Sequence, residues 1–363
     1  MIGNRVRLAR EVLGLTQAQL AEKINTTQSG VASIEANLYR PSPEYVDLLA
    51  KVTGFGRVFF ESPTVDEFPS GALLYRARAA LKKTERQQAH GLTSLAFELE
   101  HHLGIGLKRV PVNLPRLSEE THAAQIVRAA LGVSPLSPIT DLMRVVERSG
   151  VLVLFVPQQF EALDGYAAWV GAVAPRPVIA LLGGKSGYRS NFTLAEELGH
   201  LVLHSPLRVG VSDAERQAKA FAQELLLPKE AILEEVLLPV TLSGLSRLKP
   251  RWHVSLQFLI RRCHDLELLT ANQYRYLNQQ VRASGWTRLE PGDEQIQQPR
   301  PRLMRKMAEL RYGMPVRIED ISLKTGIPDE IIADLLSLPR VQKRGRVLPF
   351  PTGAMSKDQA GSS

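Results

Sequence analysis

The sequence has almost no cysteine: Cys263 is the single one among 363 residues. One thiol forms no internal disulfide, which excludes the small secreted folds that disulfides stabilise. Long apolar runs are also missing, and none approaches the roughly 20 residues that a membrane-spanning helix needs. Met1 to Arg7 are not followed by the apolar core of a signal peptide. These absences predict a cytoplasmic protein with no membrane partner.

Acidic residues are fewer than basic ones, with 37 Asp and Glu against 45 Lys and Arg, a formal net charge of +8. This excess favours a polyanionic partner, and nucleic acid more than a membrane surface. Hydrophobic residues make up 44% of the chain and charged residues 23%, a globular composition that excludes wholesale disorder. The chain is too long to fold around one small hydrophobic core, so we expect several domains.

Two short amphipathic segments near the N-terminus each follow a threonine. Thr16 precedes an apolar stripe that continues to Ile24, and Thr27 precedes a segment that ends at Glu35. Threonine at an N-cap accepts a hydrogen bond from the first helical turn, so each segment is predicted to be a helix. Two such helices joined by a tight turn form a helix-turn-helix, whose second helix enters the DNA major groove.

The second of these helices is predicted to present a polar outer face. Val31 and Ile34 have the spacing of core-facing residues. The polar side chains left outside are Gln28, Ser29 and Ser33. Gln reads adenine with two hydrogen bonds, and Ser bonds to either base edge. We therefore expect these three to contact the bases of a double-stranded DNA operator.

The surrounding sequence resembles the XRE, or Cro/C1-type, DNA-binding domain over residues 1–60. The resemblance is carried by L-T-Q-x-x-L-A, then Q-S-x-V-x-x-I-E, then R-P-S. It implies that four more residues position the phosphate backbone: Gln17, Asn37, Tyr39 and Arg40. Because one short recognition helix reads too few base pairs to select a site, we expect a homodimer on DNA.

Residues 61–117 are predicted to be linker and helical connector. Periodicity is lost at 61–71, and a long polar helix or helix pair follows at 72–103. Its early part carries five cations: Arg76, Arg78, Lys82, Lys83 and Arg86. Contact with the DNA backbone and a merely solvated basic face are both open, and the segment could instead connect or dimerise the domains.

Residues 118–240 predict an α+β domain. Its expected elements are helices at 119–131 and 139–149 and strands at 151–156, 166–173 and 178–182. An exposed strand edge binds extended peptide by adding a strand, which suits a peptidase or a peptide sensor.

The segment 192–204, F-T-L-A-E-E-L-G-H-L-V-L-H, predicts an amphipathic helix. It is one residue short of the zinc-protease motif H-E-x-x-H, in which two histidines bind one zinc and the glutamate acts as general base. Glu197 and His200 stand in the motif positions, but Glu196 replaces the first histidine. On these residues alone, a buried helix with a polar edge is the alternative.

Two strands, this helix and a second helix ending in F-A-x-x-L-L-x-P together resemble the ImmA/IrrE family of metallopeptidase-like domains, over about residues 120–290. The resemblance implies a third zinc ligand, a glutamate in the family, at the position of Gln217 here. The implied metal set is thus Glu196, His200 and Gln217, with Glu197 catalytic only if the site is active. An amide oxygen is a poor zinc ligand, so the set is degenerate and zinc is doubtful.

Two neighbouring residues are predicted to stay outside this set. Glu215 is two residues from Gln217, which turns it to about the opposite side of a helix. His204 lies two turns beyond Glu196, about 12 Å along the axis, so we expect it to pack or to support rather than to share a metal.

The rest of the chain predicts a helical subdomain at 241–292, a small helix-turn-helix-like unit at 293–341 and a disordered tail at 342–363. The expected fold class is multidomain and mainly α with a small sheet. An N-terminal all-α helix-turn-helix domain precedes an α+β zincin-like domain and a helical C-terminal region.

These patterns favour a transcriptional regulator whose second domain, no longer a peptidase, senses a peptide, protein or small-molecule effector. Two alternatives are open. One is an active zinc metalloendopeptidase that cleaves a partner repressor, with Glu197 as base. The other is an antitoxin or phage-type repressor whose second domain only dimerises.

Overall fold

The computed structural model describes residues 2–63, 82–156, 164–171, 175–183, 187–204, 211–293 and 299–338. Within them the chain is mainly helical with one small sheet, which confirms the predicted fold class. The predicted tail at 342–363 and most of the 61–71 linker lie outside the described residues. So do two of the five connector cations, Arg76 and Arg78.

Five helices form the N-terminal region: α1 (Ile2–Val12), α2 (Gln17–Lys23), α3 (Gln28–Glu35), α4 (Pro43–Thr53) and α5 (Arg57–Glu61). Thr16 accepts a hydrogen bond from the N–H of Gln19, which confirms it as the N-cap of α2. Thr27 accepts one from Gly30 and caps α3 in the same way. The turn between the two capped helices produces the predicted helix-turn-helix.

A single helix, α6 (Lys83–Gly104), follows and lies between the N-terminal helices and the sheet. On one side Glu98 pairs with Arg5 of α1. On the other side the Tyr166 hydroxyl contacts Thr93 and donates to the Ala89 carbonyl oxygen. Burial raises the pKa of Tyr166, so this hydroxyl keeps its proton as a donor. The helix is thus held by specific bonds on both faces.

The sheet contains β1 (Leu152–Val156), β2 (Gly165–Val170) and β3 (Arg176–Leu182), in the order β1-β3-β2. β3 pairs in parallel with β1 and antiparallel with β2. The predicted second strand ran to residue 173, but β2 ends at Val170. Gly171 follows with a φ of +103°, a conformation that only glycine adopts easily, so the strand cannot continue regularly there.

Alternating side chains of the strands enter two different cores, as the pleat requires. Leu154 and Ala180 join a core with the N-terminal helices and α6. Phe155 and Ile179 face the other way, into a core built with the helices that follow the sheet. The sheet therefore separates two hydrophobic layers.

The remaining helices complete these layers. Before the sheet come α7 (Ala123–Ala130) and α8 (Leu142–Arg148). After it come α9 (Gly187–Leu203), α10 (Val211–Leu226), α11 (Lys229–Glu235), α12 (Leu242–Trp252), α13 (Leu256–Asp265), α14 (Ala271–Ala283), α15 (Leu303–Tyr312), α16 (Ile318–Thr325) and α17 (Asp329–Leu335). Across the described ranges, no helix is both long and apolar enough to cross a bilayer.

The C-terminal helices α15 to α17 pack on the N-terminal region. Gly56 donates its N–H to the carbonyl of Gly326 at 2.7 Å, and Gly326 connects α16 to α17 in a left-handed conformation. Ile321 and Ile332 enter the core that also contains the helix-turn-helix. Helices α16 and α17, in the segment predicted to be a small helix-turn-helix-like unit, are thus docked on the N-terminal region.

Candidate functional site

On the outer face of α3, two of the predicted base-contacting residues are exposed to solvent. Gln28 and Ser29 are exposed at the start of the helix, while Ser33 is half-buried. Val31 and Ile34 are buried, as their spacing predicted. The polar surface is therefore concentrated in the first turn of α3, the part of a recognition helix that contacts base edges.

A buried ion pair at the other end of α3 is connected to this turn through Gln17. Glu35 is 2% exposed and binds Arg10 through Nε at 2.5 Å and Nη2 at 3.0 Å. The same carboxylate accepts from Gln17 at 2.8 Å, and the Gln17 amide oxygen accepts from Gln28 at 2.8 Å. Gln17 and Gln28 were predicted from the motif, but this network was not, because no local pattern connects Arg10 to the I-E end of the motif.

The other predicted phosphate contacts lie just after α3. Tyr39 is 59% exposed and Arg40 is also exposed. Asn37 has a second task, since its Oδ1 accepts the Gly3 N–H at 3.0 Å and its Nδ2 donates to Asn4 at 3.3 Å. Its side chain thus ties the end of α3 to the start of α1.

The zinc-protease-like motif lies on α9, against β2 on one side and α10 on another. Glu197 is 0% exposed. A Cβ placed on Gly165 of β2 would come within 3.3 Å of the Glu197 Cγ. A Cβ on Gly199 would come within 2.8 Å of the Phe221 ring, so only glycine lets α9 and α10 approach this closely.

This close approach brings three side chains into a hydrogen-bonded row. The Nδ1 atoms of His200 and His204 are 3.0 Å apart. The Nε2 of His204 is 2.9 Å from the Oε1 of Gln217 on α10. His204 therefore bridges His200 and Gln217. The family resemblance had implied that these two side chains bind one metal directly.

Comparison with known families gives a match for each region. A family model described as Helix-turn-helix matches residues 6–60, and one described as IrrE N-terminal-like domain matches residues 146–264. The chain joins a helix-turn-helix domain to an IrrE-like domain. Both resemblances seen in the sequence are thereby confirmed. A comparison with curated proteins finds no match.

In the IrrE-like domain, the hydrogen-bonded row couples the tautomers of the two histidine rings. With Oε1 of Gln217 as acceptor, neutral His204 donates from Nε2 and accepts at Nδ1. His200 then donates from Nδ1, and its Nε2 atom is buried between α9 and α10. That nitrogen is 3.6 Å from the Oε1 of Glu215. The Nδ1 atoms of the two histidines are thus hydrogen-bonded to each other.

Glu215, predicted to lie on about the opposite side of α10 from Gln217, contacts His200 at the other end of the histidine pair. Residues 215 and 217 do diverge around α10, but His200 and His204 lie one turn apart on and just after α9. Each residue of α10 therefore reaches a different histidine. The two side chains from α10 contact the pair at both of its ends.

The arrangement lacks a cluster of the kind that metals require. Within the residues that the structure describes, no group of three or more His, Cys, Asp or Glu side chains is placed to hold a metal ion. Glu196 is half-exposed, one turn before His200. The third implied ligand, Gln217, already bonds to His204.

Proposed function

We propose that this protein is a sequence-specific DNA-binding transcriptional regulator whose IrrE-like domain binds an effector and does not act as a zinc peptidase. The observation that carries the first part is the exposed start of α3, where Gln28 is oriented by Gln17 and the buried Arg10–Glu35 pair. A preoriented side chain loses little freedom on binding, which favours base recognition. Such a regulator would work in the cytoplasm, where the operator is.

The DNA-binding proposal predicts different effects for two residues. A cognate duplex is first selected from a random pool with the full chain. Gln28→Ala should weaken binding to that duplex by about 1 to 3 kcal/mol and relax its base preference. Arg40→Ala should weaken binding to all duplexes and flatten the salt dependence. Fluorescence anisotropy measures both.

Gln279→Ala, an exposed glutamine of α14, is the matched control and should bind like the unmodified chain. Equal binding by a chain without residues 1–60 would show that another region recognises the DNA.

We also propose a homodimer, because two recognition helices one DNA turn apart read enough base pairs to select an operator. One chain per duplex with a single protected half-site would contradict the dimer.

The residues present do not fit the zinc that the family implies. A zinc-protease site needs three donors aimed at one point and an open position for water. Here the imidazoles of His200 and His204 bond to each other, and the Gln217 amide oxygen is a weak donor that already binds His204. Glu197, the residue in the general-base position, is fully buried beneath β2. These features support a binding domain more than a catalyst.

The loss of the zinc site at positions 196, 200 and 217 can be tested directly. Because α9 and α10 keep the close approach at Gly199, Glu196→His with Gln217→Glu should create a much tighter zinc site than the unmodified chain has. Ligands of one metal are coupled, so the double variant should exceed the sum of the single ones. Competition with a chromogenic chelator at neutral pH measures the affinity. Stoichiometric zinc in the unmodified protein, lost on Glu196→Ala, would favour the peptidase instead.

An extended peptide is the effector class that the sheet supports best. The strand order places β2 at one edge, next to α9. Trp169 of β2 donates to the Leu201 carbonyl at 2.9 Å, and the Arg116 guanidinium lies 3.7 Å from its ring centroid. A peptide strand could pair with this edge beside an aromatic and a cation. Slower amide exchange in β2 on adding a bound peptide would support this assignment, and unchanged exchange would oppose it.

A further inference from the structure

The first turn of α6 carries three cations, and the packing of α6 on α1 determines where they lie. Glu98 pairs with Arg5 near the start of α1. Gln88 instead donates to the Val12 carbonyl, at 3.3 Å, near the end of α1. Lower-numbered residues of α6 contact higher-numbered residues of α1, so the two helices are antiparallel. Residues 82–87 therefore extend beyond the C-terminal end of α1.

What lies beyond the end of α1 is the turn into α2. Gly14 in this turn has a φ of +67°, and a Cβ there would come within 2.9 Å of the Gln88 amide nitrogen. Thr16 then caps α2, and Gln17 at its start contacts Gln28 of α3 at 2.8 Å. The first turn of α6 and the DNA-facing starts of α2 and α3 thus lie at the same end of the domain.

The charge of this α6 turn suits a polyanion. Lys82 and Lys83 are exposed, and Arg86 is half-buried. The single carboxylate among them, Glu85, caps the helix by accepting the Lys82 backbone N–H at 2.9 Å. Three cations against one carboxylate leave a local positive excess beside the predicted DNA-contacting helices.

We propose that Lys82, Lys83 and Arg86 contact phosphates of the duplex that α3 reads, so that the DNA interface extends from the helix-turn-helix onto α6. This inference rests on the proposed DNA-binding function. Duplex DNA carries one negative charge per about 1.7 Å of its axis, so cations next to a bound recognition helix meet phosphates on the flanking backbone. Since such contacts are independent of sequence, they should act on any duplex.

Salt dependence measures these contacts without knowledge of the operator. The full chain is titrated into a fluorescein-labelled duplex of mixed sequence, and anisotropy is followed from about 50 to about 200 mM KCl. Each phosphate contact contributes about 0.9 to the slope of log affinity against log salt. The K82Q/K83Q/R86Q variant should therefore lose about 2 to 3 of that slope per chain.

The matched control is K306Q/R317Q/K324Q, which removes the same charge from exposed positions on and between α15 and α16. These helices pack at the other end of α6, where His102 contacts Tyr312. A helix of 22 residues is about 33 Å long, so the control cations are far from α2. This control should keep the slope of the unmodified chain.

A second variant separates charge from structure. K82R/K83R/R86K keeps all three cations and should keep the unmodified slope; loss of slope here would overturn the proposal, because a folding effect would explain both variants. An unchanged slope in K82Q/K83Q/R86Q, with binding still weakened by Arg40→Ala, would overturn the α6 contacts and leave the DNA-binding function standing. Absence of DNA binding by the unmodified chain would overturn both.

Discussion

His102 shows how one side chain makes a helix contact sensitive to pH. Its Nε2 is 2.6 Å from the Tyr312 hydroxyl, where α6 meets α15. Burial, together with the cations Arg311 and Lys324, lowers the pKa of His102 below its ordinary value of about 6.5. The folded protein therefore favours the neutral ring, which accepts the Tyr312 proton.

The sign of the pH effect follows from this lowered pKa. The contribution of His102 to stability is complete above the unfolded pKa of about 6.5 and declines as the pH falls through the folded pKa. The free energy of unfolding in urea should therefore drop less between pH 7.5 and pH 5 in His102→Gln than in the unmodified chain. His101→Gln, the exposed neighbour, should keep the full drop. An equal drop in the free energy of unfolding for the unmodified chain and both variants would refute the role assigned to His102.

At the same scale, the sequence could predict which residues gather near the IrrE-like site but not how they bond. Motif positions placed His200 and Gln217 close together. The bridge through His204 depends on ring rotation and on the approach at Gly199, where α9 touches Phe221. A spacing argument contains neither quantity. For the same reason, spacing did not predict the contact between Glu215 and His200.

One carboxylate anchors the start of α15. Arg302 at its N-cap has no side-chain cap of its own. Glu147, in the last turn of α8, supplies the cap: its carboxylate accepts the N–H groups of Arg302, at 3.0 Å, and Leu303, at 2.9 Å. Burial raises the pKa of Glu147, although the two N–H donors partly offset this. The cap thus joins elements that are far apart in sequence.

Removal of this cap should weaken the attachment of α15. Glu147→Ala leaves two N–H groups without their acceptor, so we expect a loss of about 1 to 3 kcal/mol in the free energy of unfolding. Glu147→Gln should recover part of it, since the amide oxygen still accepts. Glu234→Ala removes an exposed carboxylate and should stay within about 0.5 kcal/mol of the unmodified chain. Equal values for both alanine variants in urea titrations would count against the cap.

At the scale of elements, most helices and strands could be predicted from the sequence because local sequence signals indicate where they begin and end. Threonine caps and helical spacing located α2 and α3, and short apolar runs located the three strands. The sequence could not show that residues 83–104 form one helix packed on both sides. That outcome depends on distant partners such as Arg5 and Tyr166, which no local window contains.

The molecule as a whole combines its two matched regions through a common core. The helix-turn-helix, α6, one face of the sheet and the helices α15 to α17 all contribute buried side chains to it. The Arg176–Glu100 ion pair adds a polar connection between β3 and α6. Packing in this core therefore connects the IrrE-like domain directly to the helix-turn-helix.

A shared core predicts shared opening. Leu95 of α6 is fully buried in this core, and Leu95→Ala should cost about 2 to 5 kcal/mol. Because helix-turn-helix and sheet depend on the same packing, hydrogen exchange should accelerate by similar factors in peptides from α3 and from β3. Leu277→Ala, a buried leucine of α14 in the second core, is the matched control and should act most strongly on α13 and α14. Acceleration in α3 with β3 unchanged would mean that the two regions open independently.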